Sequence, residues 1–273
     1  MAASAILDDQ LYITHSGVAE VVSVYDTTSF QLLLQLTVPG LSAYPWGLAT
    51  CSFSKHLYVS DYFNNCVYRV HLSETTAIKH VTSQVTQWKV ASHPRGLSVN
   101  SARNVLVAFW ELKKVQEYTS TGTLVREIST NREVWQAVEL KSGILAIGQY
   151  QQGISTVSLD GQVINSYQIQ SRFDHRCMTV STCGCILIAD AGNHSIHVVN
   201  PSLTDSRLLP LPVEPVIQDS WGLSLDQSRG RLYVGECSGQ NRILVFDNLT
   251  NVVAMFNTWK LARCIRYGLH DSR

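Results

Sequence analysis

The sequence has little charge and no imbalance of it: 15% of its 273 residues are charged, and 21 Lys and Arg meet 21 Asp and Glu. With no net field of either sign, long-range attraction to nucleic acid or an anionic bilayer is not what this surface is built for. No apolar run approaches the roughly 20 residues that a membrane-spanning helix needs, so no membrane partner is expected. The N-terminus lacks a basic segment followed by a long apolar one, so no signal peptide is expected. The seven cysteines are odd in number and scattered, which fits reduced thiols better than a disulfide framework. The expected location is therefore cytoplasmic. Catalytic signatures are also missing: there is no His-Glu-x-x-His, no Gly-x-Ser-x-Gly elbow and no phosphate loop.

What the sequence does have is repetition. A short apolar run, a tight polar turn and a second apolar run recur six times, most clearly at Ile186–Ala189, Asp190–Asn193 and Ile196–Val199. The first runs begin at Leu11, Leu57, Val105, Ile144, Ile186 and Leu232, and the second at Val21, Val67, Val115, Ile154, Ile196 and Ile243. A constant offset of ten or eleven residues over six units points to one supersecondary unit repeated. A strand-like piece precedes each pair, as in Gly47-Leu-Ala-Thr50 and Gly222-Leu-Ser-Leu225. Another follows, expected at residues 31–36, 77–81, 124–128, 163–169, 207–213 and 252–256. Four short strands per unit, with no long helical period, predict four-stranded antiparallel sheets.

One such sheet cannot bury both faces alone, whereas six set radially cover one another. The predicted fold is therefore all-β, a six-bladed β-propeller. The whole chain, 1–273, reads as one such domain, with blades near 1–40, 46–88, 95–130, 135–170, 176–214 and 221–257. Tyr267-Gly-Leu repeats the pattern of Trp46-Gly-Leu and Trp221-Gly-Leu. Residues 261–273 are accordingly expected to return to the first blade as its closing strand, with Ser4–Leu7 the competing innermost strand.

Asp190-x-x-Asn193-His-Ser-Ile196, Pro94-Arg-Gly-Leu97 and Tyr44-Pro-Trp-Gly-Leu48 resemble the NHL-repeat propellers over nearly the whole chain. The pairs Asp61/Asn64, Asp190/Asn193 and Glu236/Asn241 match best, while units one, three and four depart from the motif. Neither the Trp-Asp dipeptide nor the Gly-Gly pair of other propeller families occurs. The resemblance implies a non-catalytic platform for a protein or peptide, with RNA as the second partner class. A minority of related six-bladed propellers are metal-dependent lyases or lactonases, the alternative of a different kind.

Asp61, Asp190 and Glu236 would form a carboxylate ring if they gathered on a metal. The competing reading is that each closes its own turn against the nearby Asn, and on that reading no metal or cofactor is expected. Cys183-Gly-Cys185 has no matching second pair for zinc, so packing is the expectation. His93, His175 and His194 fall in loops at one end of the units, and loop hydrogen bonding is expected of them before metal binding.

The strongest functional signal is positional. The residue entering each innermost strand is Trp46, Arg95, Trp135, Arg176 or Trp221, and these large side chains should ring one mouth of the fold. The turns between second and third strands add Tyr62, Trp110, Tyr150 and His194 to that face. Aromatic and guanidinium groups in alternation suit stacking, hydrogen bonding and cation–π contact with an extended partner. The competing reading makes the tryptophans wedges between blades and pairs the arginines with nearby acids.

Overall fold

The computed structural model describes residues 3–72, 84–141, 143–151, 153–169, 174–211, 216–236, 242–247 and 249, together with the backbone of 263–267. It contains six four-stranded antiparallel sheets and, among the described residues, no helix. The first holds β1 (Ser4–Leu7), β2 (Gln10–Thr14), β3 (Val21–Asp26) and β4 (Leu32–Thr37). The second holds β5 (Pro45–Cys51), β6 (His56–Asp61), β7 (Cys66–His71) and β8 (Val85–Lys89). The third holds β9 (Pro94–Val99), β10 (Val105–Phe109), β11 (Lys114–Tyr118) and β12 (Leu124–Ser129). The fourth holds β13 (Val134–Glu139), β14 (Leu145–Gln149), β15 (Gly153–Val157) and β16 (Val163–Tyr167). The fifth holds β17 (His175–Val180), β18 (Ile186–Asp190), β19 (Ser195–Val199) and β20 (Ser206–Leu208). The sixth holds β21 (Ser220–Asp226), β22 (Arg231–Glu236), β23 (Ile243–Asp247) and β24 (Arg263–Tyr267). Within every sheet the strands follow chain order, so each is an up-and-down meander. The fold is an all-β, six-bladed propeller.

Burial explains the apolar runs. Second strands are covered on both faces: every residue of β10, β14 and β18 is buried. That is why they read as unbroken hydrophobic stretches rather than alternating ones. The fourth strands β4, β8, β12 and β16 are edges and carry mostly exposed residues, including Leu32, Leu124 and Val163. The described residues fall into two compact units, one within 3–137 and one within 138–267. In the first, one core cluster packs Tyr12 and Val24 with Leu48 and Val59, and a second packs Tyr58 and Val67 with Val107 and Phe109. In the second, Ala146 and Ile154 pack with Met178 and Ile188, and Leu187 and Ile196 with Leu223 and Val234. Each cluster is thus shared by two sheets adjacent in sequence.

Two expectations are corrected. The first sheet takes all four strands from residues 4–37, and the C-terminal segment does not join it. Residues 263–267 pair instead with β23, Ile243 opposite Tyr267 and Asp247 opposite Arg263, as the outer strand of the sixth sheet. The Tyr-Gly-Leu match misled because it compares only three residues, whereas β23 offers a full edge of unpaired backbone groups. In the second sheet the outer strand is β8, not residues 77–81, which lie outside the described residues, as do 252–256.

Candidate functional site

The entries to four of the innermost strands share one local device. Pro45 faces Asp61 and Leu48 faces Val59, so β5 holds one residue more than β6 across that interval. The same one-residue bulge occurs at Arg95 and Gly96 in β9, at Arg176 in β17 and at Trp221 in β21. A bulge takes a residue out of the pleat and re-aims its side chain. The large residues that the sequence places at these entries are the bulged ones.

In the first unit the large residues at the strand entries meet. The Arg95 guanidinium carbon lies 4.2 Å from the Trp46 ring centroid, 4.4 Å from Trp135, 4.8 Å from Trp110 and 5.5 Å from Tyr62. Glu111 Oε1 is 3.5 Å from the same guanidinium and accepts a 3.2 Å hydrogen bond from the Tyr62 hydroxyl. Trp46 stacks on Tyr62 and on Trp135 at 5.3 and 5.7 Å. This is an aromatic box with an internal cation already in it. Arg95 and Trp135 are 9% and 5% exposed, so they form the floor of the cluster. Trp46, Tyr62 and Trp110 are half-buried walls.

The exposed part of the cluster lies on its rim. Phe63 is 58% exposed and Tyr44 46%, and their rings meet edge to face at 5.0 Å. Phe63 also meets Tyr62 edge to face at 5.3 Å, and His93 stacks on Tyr62 at 4.5 Å. Tyr44, Phe63, Tyr62 and His93 are therefore one continuous aromatic strip. Sequence reasoning kept Tyr62 but not Tyr44 or His93 as contact residues. The available signal was their place: each lies one or two residues before the bulged entry to an innermost strand.

In the second unit the Arg176 guanidinium carbon lies 4.2 Å over the Trp221 ring. Asp174 Oδ2 accepts from Arg176 Nε and Nη2 at 3.0 and 2.6 Å. Arg95 and Arg176 are each held by an acid and by aromatic ring contact. Tyr150 is half-buried at the end of β14, and His194 is exposed in the β18–β19 turn at φ 54°.

The carboxylates of the best-matching repeats are all engaged in hydrogen bonds. Asp61, fully buried, accepts from Ser42 N and Oγ, both at 2.7 Å, and from Asn64 N and Nδ2 at 3.1 and 2.8 Å. Asp190 accepts from the backbone N–H groups of Asp174, Gly192 and Asn193 and from Asn193 Nδ2 at 2.6 Å. Burial alone would raise the Asp190 carboxyl. His197, Asn193 and the Asp174 N–H outweigh it and hold the group below the usual range. Glu236 accepts from Gln218 N and Arg242 Nε; Asn241 lies outside the described residues. Among the described residues, no group of three or more His, Cys, Asp or Glu side chains is placed to hold a metal ion.

No protein-family model matches the chain, and no curated protein matches it in sequence. Solved structures do match in fold. The catalytically inactive H270A virginiamycin B lyase from Staphylococcus aureus, solved with quinupristin, superposes with a TM-score of 0.68 at 11% identity, over 99% of this chain and 86% of that one. A nidogen/laminin complex structure gives 0.68 at 14% identity, over 87% and 89%. A streptogramin B lyase gives 0.64 at 12% identity, over 82% and 72%. At these identities the likeness is one of fold. These neighbours include both an enzyme and a protein complex, so the fold alone does not choose between chemistry and binding.

Proposed function

We propose that this propeller is a non-catalytic interaction module of the NHL-repeat kind, and that it binds a protein or peptide. The contact surface is the aromatic strip Tyr44–Phe63–Tyr62–His93 with its Trp46 wall. The carrying observation is that two large aromatic side chains, Tyr44 and Phe63, are exposed side by side and continuous with a buttressed cluster beneath. Exposed aromatics on a rigid base lose little entropy on contact, and such residues carry much of the energy of protein interfaces. Burial of Arg95 and its bond to Glu111 keep the walls in place, so Arg95 supports the surface from within. The nidogen/laminin neighbour is consistent with partner binding by this fold. RNA is the second partner class and a metal-dependent enzyme of the lyase or lactonase type the alternative function.

The test uses the intact chain. A displayed random-peptide library is panned on it, and the enriched peptides are measured against the Tyr44→Ser/Phe63→Ser double variant. The variant should remain folded and bind at least about tenfold more weakly, since each tenfold is ~1.4 kcal/mol and central aromatic anchors reach that readily. Wild-type affinity in a folded variant overturns the reading. So does stoichiometric metal in the purified protein together with lyase turnover. Charge reversal at Arg95 is a poorer test, because it would disrupt the box it sits in.

A further inference from the structure

The β17–β18 turn, at the opposite end of β18 from the Asp190 turn, holds two thiols that the proposed binding surface does not use. Ser181 N–H bonds to Cys185 O at 2.9 Å and Gly184 N–H to Ser181 O at 2.8 Å, with Gly184 at φ +87°. The turn folds Cys183 back over Ser181, whose Oγ lies 2.7 Å from Cys183 Sγ. Cys183 is half-buried and Cys185 is 2% exposed, just before the fully buried β18. The other described cysteines, Cys51, Cys66 and Cys177, are buried.

The two sulfurs are in unlike states for a physical reason. Burial would raise the Cys183 thiol, but the Ser181 hydroxyl, the Cys185 N–H and the Cys185 S–H converge on its sulfur and bring it below the ordinary thiol value. Burial and donation to Cys183 push the Cys185 thiol up to about 12. A reachable sulfur stabilised as thiolate, with a protonated sulfur behind it, is the pairing of an attacking thiol with a resolving one.

We propose that Cys183 and Cys185 form a thiol–disulfide exchange site, with Cys183 the attacking and Cys185 the resolving sulfur, oxidised by a low-molecular-weight disulfide. The Cys183 thiolate attacks one sulfur of the disulfide, forming a mixed disulfide and releasing one thiolate. Cys185 then loses its proton to solvent and attacks the Cys183 sulfur. The Cys183–Cys185 bond forms and the second small thiolate leaves. Two protein thiols are oxidised, one disulfide is reduced to two thiols, and no other reagent is consumed.

The probes are iodoacetamide and oxidised glutathione on the intact chain, read by mass spectrometry. Cys183 should alkylate at least about tenfold faster than Cys51, Cys66 or Cys177, because reaction follows thiolate fraction and access. Oxidised glutathione should remove two hydrogens from the tryptic peptide 177–207. Backbone fragmentation between Met178 and Thr182 should persist, which places the bridge beyond Cys177. Cys185→Ala should instead accumulate a single glutathione adduct on Cys183. The proposal is overturned if Cys183 alkylates no faster than the buried thiols, if fragmentation puts Cys177 in the bridge, or if folded Cys185→Ala gains no adduct. The alkylation comparison needs only the wild-type chain, so it decides even where that variant fails to fold.

Discussion

His175 and Gly148 show how closely one residue depends on another. The His175 ring is fully buried, and a Cβ built on Gly148 would lie 1.8 Å from its Cε1. Position 148 is therefore glycine because the imidazole occupies the space a side chain would need. Gly148→Ala should destabilise the protein by about 3 kcal/mol or more through overpacking. Adding His175→Ala should recover part of that loss, and urea unfolding of the two single variants and the double variant measures the coupling. Burial also drives the His175 pKa down to about 3, with Asp190 opposing the shift and Arg176 adding to it. The imidazole is thus neutral in the folded protein and, with an ordinary pKa near 6.5, takes up a proton in the unfolded one. The sign follows: its stability contribution is fully present above about pH 6.5 and is lost progressively as pH falls toward 3. Between about pH 6.5 and 5, before most carboxylates titrate, wild-type stability should decline more steeply than that of His175→Gln. Parallel stability curves for the two proteins would rule this account out.

At the scale of elements, neighbouring innermost strands are tied by a side chain from a second strand. Ser60, in β6, accepts from Gly47 N–H and donates to Arg95 O, both at 2.7 Å, and is fully buried. Ser60→Ala would leave two buried backbone groups without this partner, and a loss of about 1–3 kcal/mol is expected in denaturant unfolding. Asn193→Ala removes the bond to Asp190 in a more exposed turn and should cost about 1 kcal/mol. The ordering of the two variants is the check, since both delete hydrogen bonds and differ chiefly in burial. Truncation after residue 262 removes the backbone partner of β23 and leaves its edge unpaired. The melting temperature should fall by several degrees and the truncated chain should self-associate, both readable by calorimetry with light scattering. An unchanged, monomeric melting profile would show that β24 contributes nothing to the sheet.

At the scale of the whole molecule, the zero net charge predicts how a partner is held. Peptides selected on the aromatic strip should weaken little between low and physiological salt, because stacking and burial, not ion release, supply their affinity. A steep, linear loss with the logarithm of salt concentration would instead indicate phosphate contacts and move the partner class to RNA. The architecture was legible in the sequence for a related reason: strands buried on both faces are written as unbroken apolar runs, and six copies in constant register leave few alternatives. Ile186–Asp190 and Ser195–Val199 lie within a residue or so of where the periodicity puts them. The sheet that the C-terminal strand joins was not legible, because a three-residue match names a strand but not the edge it pairs with. Nor was the state of the large residues at the strand entries. Arg95 looks exposed in a Pro-Arg-Gly-Leu motif, yet four aromatic rings from Trp46, Tyr62, Trp110 and Trp135 surround it. The sequence by itself determined the repeat, the strand pairs, the all-β class and the place of the large residues at the strand entries, since these depend on local pattern. Tertiary structure alone decided which of those residues became floor and which rim, and which cysteine became accessible, because burial is set by neighbours distant along the chain.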